Sequence, residues 1–234
     1  MGRVLTVCTT HHESGNATAG ELAWLLGRLR PQVIFLEHSA DELRGAPHAQ
    51  RNSLELAAVA RYREQQPAEV VPVGLHIEDV AQLKPAFDAM FDTIGAASPR
   101  YCELDIVRQV ETAREGHAFL NSPDCAALHS VIDQEVRATL DNLADPELGG
   151  VYKRWTDVHR LRESALLRGV EDFARRRSFD RGVLLVGAAH WQSLAEEARR
   201  RVEEPDYPVV WEFNWDLGAE DPDADARPDN RHQT

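Results

Sequence analysis

Cysteine is scarce. Cys8, Cys102 and Cys125 are the only three in 234 residues, too few and odd in number for a disulfide framework. No apolar run approaches the roughly 18 residues of a membrane-crossing helix, and no charged-then-apolar leader opens the chain. The expectation is a cytoplasmic protein with no membrane contact. Lysine is nearly missing too: Lys84 and Lys153 are the only two, and arginine carries the other positive charges. The formal net charge of −13 argues against nucleic acid as a main partner, because phosphate binding needs a basic footprint. Much of the acid excess lies in the final stretch, AEDPDADARPDN. Its composition cannot bury enough apolar surface to offset ordering. Residues 218–234 therefore read as a mobile acidic tail, dispensable for folding, behind a single domain over 1–217.

What is present is a strand-and-helix alternation. VLTV (4–7), QVIFLEH (32–38), VVPVGLH (70–76) and VLLVG (183–187) are short apolar runs rich in β-branched residues, as buried strands are. Pro72 marks the third as an edge or an irregular start. Helical spacing appears over 17–30, 50–64, 79–92 and 191–203. Trp211, Phe213 and Trp215 alternate with polar residues, which predicts a half-exposed last strand over 207–216. Residues 99–178 are helical throughout, with breaks near Asn121 and between Pro146 and Gly150. The fold class is α/β: a largely parallel central sheet flanked by helices, with a helical lobe (about 99–178) inserted between two strand–histidine units.

Those two units resemble each other. VLTVCTTHHES (4–14) and VLLVGAAHWQS (183–193) share valine or leucine at three strand positions, then histidine (His11, His190), then serine (Ser14, Ser193). The second strand ends in Glu37 and His38, the third in His76. In open parallel sheets, ligands sit outside the carboxyl ends of the strands, so these four ends point to one crevice. Along 151–176, Trp155, Val158, Leu166, Val170 and Phe173 form one helical stripe. Arg162 falls within it and His159 beside it, while Arg160 and Arg168 fall elsewhere. An arginine on a buried face either snorkels to the rim or pairs with an acid or an anionic substrate.

Taken together, CTTH (8–11), VIFLEH (33–38), RESALL (162–167) and GAAH (187–190) resemble the superfamily of erythromycin esterase-like, ChaN-like, TraB and Tiki proteins. Cys8 replaces the usual glycine of the first motif, and Glu163 stands where Asp or Asn often follows the arginine. The resemblance implies an active-site set of His11, Glu37, Arg162 and His190. The superfamily includes esterases, metal-dependent peptidases and a haem-binding protein.

The chemistry of those residue types suits hydrolysis of an ester or amide in a small molecule or peptide, or related acid–base tailoring. A histidine near neutral pKa takes a proton from water, and a carboxylate orients it; His11 with Glu37 fits that logic. His190 then serves the leaving group or oxyanion, and Arg162 the developing charge. The same His11, Glu37 and His190 would also make a divalent-metal site of a peptidase, although neither an HExxH motif nor a cysteine pair marks one. Haem, held by histidine or tyrosine in an apolar slot of the lobe, is the other ligand considered. His12, Glu13, His38 and His76 are assigned to the substrate-binding rim. His48, His117, His129 and His232 read as surface histidines, Cys102 and Cys125 as helix-packing residues, and Cys8 as a small buried residue.

Overall fold

The computed structural model describes residues 1–45, 53–75, 80–203 and 206–213. His76 and the acidic tail lie outside the described residues. The order is β1 (Gly2–Thr9), α1 (Ala19–Leu29), β2 (Val33–Leu36), α2 (Ala40–Gly45), α3 (Leu54–Arg63), β3 (Glu69–Pro72), α4 (Val80–Ala97), α5 (Pro99–Glu115), α6 (His117–Leu120), α7 (Pro123–Leu143), α8 (Pro146–Arg176), β4 (Arg181–Gly187), α9 (Trp191–Arg201) and β5 (Val209–Glu212).

The five strands form one all-parallel sheet in the order β3-β2-β4-β1-β5. Strands β1, β2 and β4 are buried along nearly their whole length because helices cover both faces of the sheet. On one face Val4, Phe35, Leu184 and Val186 meet Leu166, Leu167, Val170 and Phe173 of α8 and Leu194 and Ala198 of α9. On the other, Leu5, Val7, Ile34, Leu36, Val183 and Leu185 meet Leu22, Leu25 and Leu26 of α1 and Ala58, Val59 and Tyr62 of α3. Pro72 ends β3, an edge strand, where a missing N–H costs no ladder bond. The last strand is shorter than the alternation suggests: β5 stops at Glu212, and Trp215 lies outside the described residues.

The strand–histidine repeat does not survive as a structural equivalence. β1 pairs directly with β4, but Val4 faces Gly182 and Leu5 faces Val183. That register is one residue away from the sequence alignment of Val4 with Val183. A one-residue offset in a strand puts side chains on opposite faces. Val4 accordingly belongs to the α8 side and Val183 to the α1 side.

The lobe has its own core. Phe87, Met90 and Ile94 of α4 and Val136 of α7 pack with Val151, Tyr152 and Trp155 from the start of α8. The expected break near Pro146 falls just before it. Ala144 takes a left-handed conformation to close α7, and Asp145 caps α8 by accepting the amides of Glu147 and Leu148. Gly149 and Gly150 then continue the helix.

Two further expectations are corrected. His117 is not a surface residue: it is fully buried, and its Nδ1 lies 2.8 Å from the Glu21 carboxylate. Cys102 is exposed on α5, whereas Cys125 and Cys8 are buried. Burial drives the Cys8 thiol far above its ordinary pKa, and the side chain packs with Ala17, Phe119, Leu120 and Cys125. Among the described residues, no helix is long and apolar enough to cross a membrane.

Candidate functional site

β4, a late strand in the sequence, lies between β1 and β2. Three consecutive strands thus bring His11, His190 and Glu37 to one edge of the sheet. Adjacent strands lie about 4.8 Å apart, so the ends of β1 and β2 stand roughly 10 Å from each other across β4.

Glu37 is the hub. Its Oε1 accepts from Arg162 Nη2 at 2.6 Å, and its Oε2 accepts from the Gly187 amide at 3.1 Å. His190 Nε2 lies 3.5 Å from the same Oε1. Burial alone would raise this carboxyl's pKa. His190, then Arg162 and the Gly187 amide, outweigh burial and hold it at about 2. The backbone behind Glu37 is tightly packed: a Cβ on Gly74 would stand 1.8 Å from the Glu37 carbonyl oxygen, so glycine is required there.

His190 closes a single 3-10 turn between β4 and α9 and is 5% exposed. Its Nδ1 lies 2.8 Å from Glu163 Oε1, which also accepts from Ser193 Oγ at 2.6 Å. Burial opposes the imidazolium, but Glu163 and Glu37 on its two nitrogens raise the pKa to about 9. One turn before Glu163, His159 stacks on His190 with ring centroids 4.8 Å apart, and Trp155 backs it at 4.2 Å. Burial first, then the charges of His190 and Arg162, push His159 down to about 3.

His11 sits differently. Its side chain is 69% exposed, and its Nδ1 lies 3.7 Å from Oε1 of a buried carboxylate, Glu55 of α3. Glu55 also accepts from Thr9 Oγ1 at 2.8 Å and from Ser53 Oγ at 2.6 Å. Against the effect of burial, His11 and then these neighbours bring Glu55 to about 2. Glu55 in turn raises the pKa of His11, partly opposed by desolvation. The carboxylate nearest His11 is therefore Glu55, within ion-pair reach at 3.7 Å, and not Glu37 as the sequence suggested.

A cavity of about 190 Å³ is lined by His11, Leu36, Glu37, His38, Glu55, Arg162 and Leu185. Arg162 faces inward as its place in the apolar stripe requires, and Arg160 is exposed. His190 touches the cavity through Glu37 and does not line it. A larger hollow, about 460 Å³, opens near Gln32, Glu69, Arg177 and Asp180. It lies at the amino edge of the sheet, away from the ends where parallel sheets hold ligands.

Of the assigned rim residues, His38 lines the cavity, and its Nδ1 is buried with no hydrogen-bond partner among the described residues. His12 is exposed. Glu13 accepts the Ala19 amide at 2.9 Å and so caps the start of α1. Glu55, Glu163, His159 and Ser193 are the additions. His159 and Glu163 stand four residues apart on a helix, a spacing visible in the sequence; nothing in the sequence marks Glu55.

The divalent-metal set read from the residue types, His11 with Glu37 and His190, is not gathered. Among the described residues, the only group of three whose ligand atoms lie within 4.8 Å of one another is His159, Glu163 and His190, without His11. Glu37 Oε1 meanwhile carries Arg162. The cavity is also below the ~300–1,000 Å³ of common small-molecule pockets. No protein-family model, curated protein or solved structure matches the chain.

Proposed function

We propose that the chain hydrolyses a small ester or amide with a water activated by His11. One observation carries the reading: a single cavity at the carboxyl edge is lined by a histidine with a buried carboxylate 3.7 Å away (His11 and Glu55) and by an arginine bound to a buried carboxylate (Arg162 with Glu37). His11 takes a proton from water as its oxygen bonds to the substrate carbonyl carbon. The carbonyl π pair moves onto oxygen, and Arg162 offsets that charge. When the tetrahedral species collapses, the bond to the leaving group breaks, and His11 returns the proton to the departing oxygen or nitrogen. The cavity volume suits the acyl part of a small substrate.

The test uses purified protein with p-nitrophenyl acetate, p-nitrophenyl butyrate and alanine p-nitroanilide. Arg162→Lys keeps the charge and loses the planar fork, and is expected to lower kcat/KM about tenfold or more with the fold intact by circular dichroism. Arg160→Lys on the exposed face is expected to change nothing. Equal behaviour of the two variants, or no turnover of any probe above the solution rate, rejects the reading.

A further inference from the structure

We infer that His159, Glu163 and His190 form a binding site for one divalent transition-metal ion of the zinc class. The inference does not rest on the hydrolytic reading. His159 and Glu163 lie one turn apart on α8, so both project from one face of the helix. The turn after β4 delivers His190 to the same point, and the three ligand atoms lie within 4.8 Å of one another.

The surroundings match what a bound imidazole requires. A metal-bound histidine donates its second ring nitrogen to a carboxylate, which fixes the ring and leaves the other nitrogen for the ion. Glu37 stands 3.5 Å from His190 Nε2 and is positioned to accept that hydrogen. Arg162, bound to Glu37, keeps that carboxylate from being a second anionic ligand. Ser193 orients Glu163 by donating to its Oε1. His159 is held by ring contacts with Trp155 and His190, and among the described residues it has no hydrogen-bond partner competing for its nitrogens. The ion replaces the hydrogen that His190 Nδ1 shares with Glu163. Two imidazoles and one carboxylate leave at least one coordination position open, a donor set that suits Zn²⁺, Co²⁺ or Mn²⁺ above Mg²⁺ or Ca²⁺.

The experiment is a titration of chelator-treated, dialysed full-length protein with Co²⁺, read by its visible ligand-field absorption, followed by competition with Zn²⁺. One equivalent per chain is expected, with an accompanying rise in melting temperature. His159→Phe preserves the ring stacking and removes a ligand. It is expected to weaken Co²⁺ binding by more than the roughly 10–100-fold that an outer-sphere partner costs. Glu163→Gln is expected to do the same, and melting without metal checks the fold of each variant. His11→Gln is expected to bind Co²⁺ as the parent does, although the hydrolytic reading predicts that it is inactive. No stoichiometric uptake at micromolar Co²⁺, or loss of binding in His11→Gln but not in His159→Phe, overturns the site.

Discussion

His11→Gln is expected to lower kcat/KM for the ester probe by about 10²–10⁴-fold, the usual worth of a positioned general base. Glutamine cannot accept the proton, and because His11 is mostly exposed, little packing is lost. The melting temperature should therefore stay within a degree or two of the parent. The pH profile provides a second readout. Among the described residues, three charged groups act on His11: Glu55 from α3 and Glu37 after β2, which raise its pKa, and Arg162 from α8, which lowers it. Glu55 is the strongest of the three, so the net shift is upward. The acid limb of kcat/KM should lie above the ~6.5 of an ordinary histidine. Glu55→Gln removes the main stabiliser of the imidazolium. The neutral base then persists to lower pH, and the limb moves down. A His11→Gln enzyme retaining a tenth of parental activity, or a limb that stays put or rises in Glu55→Gln, contradicts the assignment.

Glu37→Ala should cost the most stability of any single change in the crevice. It strips the acceptor from Arg162 and Gly187 and removes the carboxylate beside His190 in one step. Breaking a buried pair on one side costs about 3–5 kcal/mol, because the surviving charge is left uncompensated. The Arg162 side chain is 30% exposed and recovers some solvation, which favours the lower end of that range. At about 2–4 °C per kcal/mol for a domain of this size, the melting temperature should fall by roughly 6–12 °C. The double change Glu37→Leu with Arg162→Met should recover much of the loss, since a well-packed apolar pair is often no worse than the ion pair it replaces. A fall under two degrees for Glu37→Ala, or a double variant less stable than the single one, would show that the hub is not structural.

The strands were legible because both faces of the sheet are covered, which turns β1, β2 and β4 into continuous apolar runs. Arg162 was legible as a charge on an apolar helical stripe, and its bond to Glu37 is the pairing such a position requires. The place of β4 between β1 and β2 was not legible, since parallel neighbours are joined through long crossovers and no local pattern encodes their order. The repeat around His11 and His190 suggested two equivalent histidines. The one-residue register offset makes them unlike: one exposed beside α3, the other buried against α8. Glu55 is not legible in the sequence because no hydrophobic period distinguishes it and its partners Thr9 and His11 lie more than forty residues earlier. In the sequence Glu163 stands out only as an unusual neighbour of Arg162, and its bond to His190 depends on how α8 crosses the sheet.

Helix α8 belongs to two cores at once. Val151, Tyr152 and Trp155 pack in the lobe, Leu166 to Phe173 pack on the sheet, and His159, Arg162 and Glu163 fall between. That arrangement sets a rule for length variation. One residue inserted between Trp155 and Leu166 would rotate the lobe by about 100° and advance it ~1.5 Å relative to the sheet. The two anchors would then no longer fit their cores together. The exposed turn between α7 and α8 carries no such phase, whereas the connection between α5 and α7 is docked: His117 is buried against Glu21, and Asn121 bonds the Cys8 backbone. Descendants of this chain are free to lengthen or shorten the lobe at that exposed turn, while the stretch from 155 to 166 tolerates substitution but not insertion or deletion.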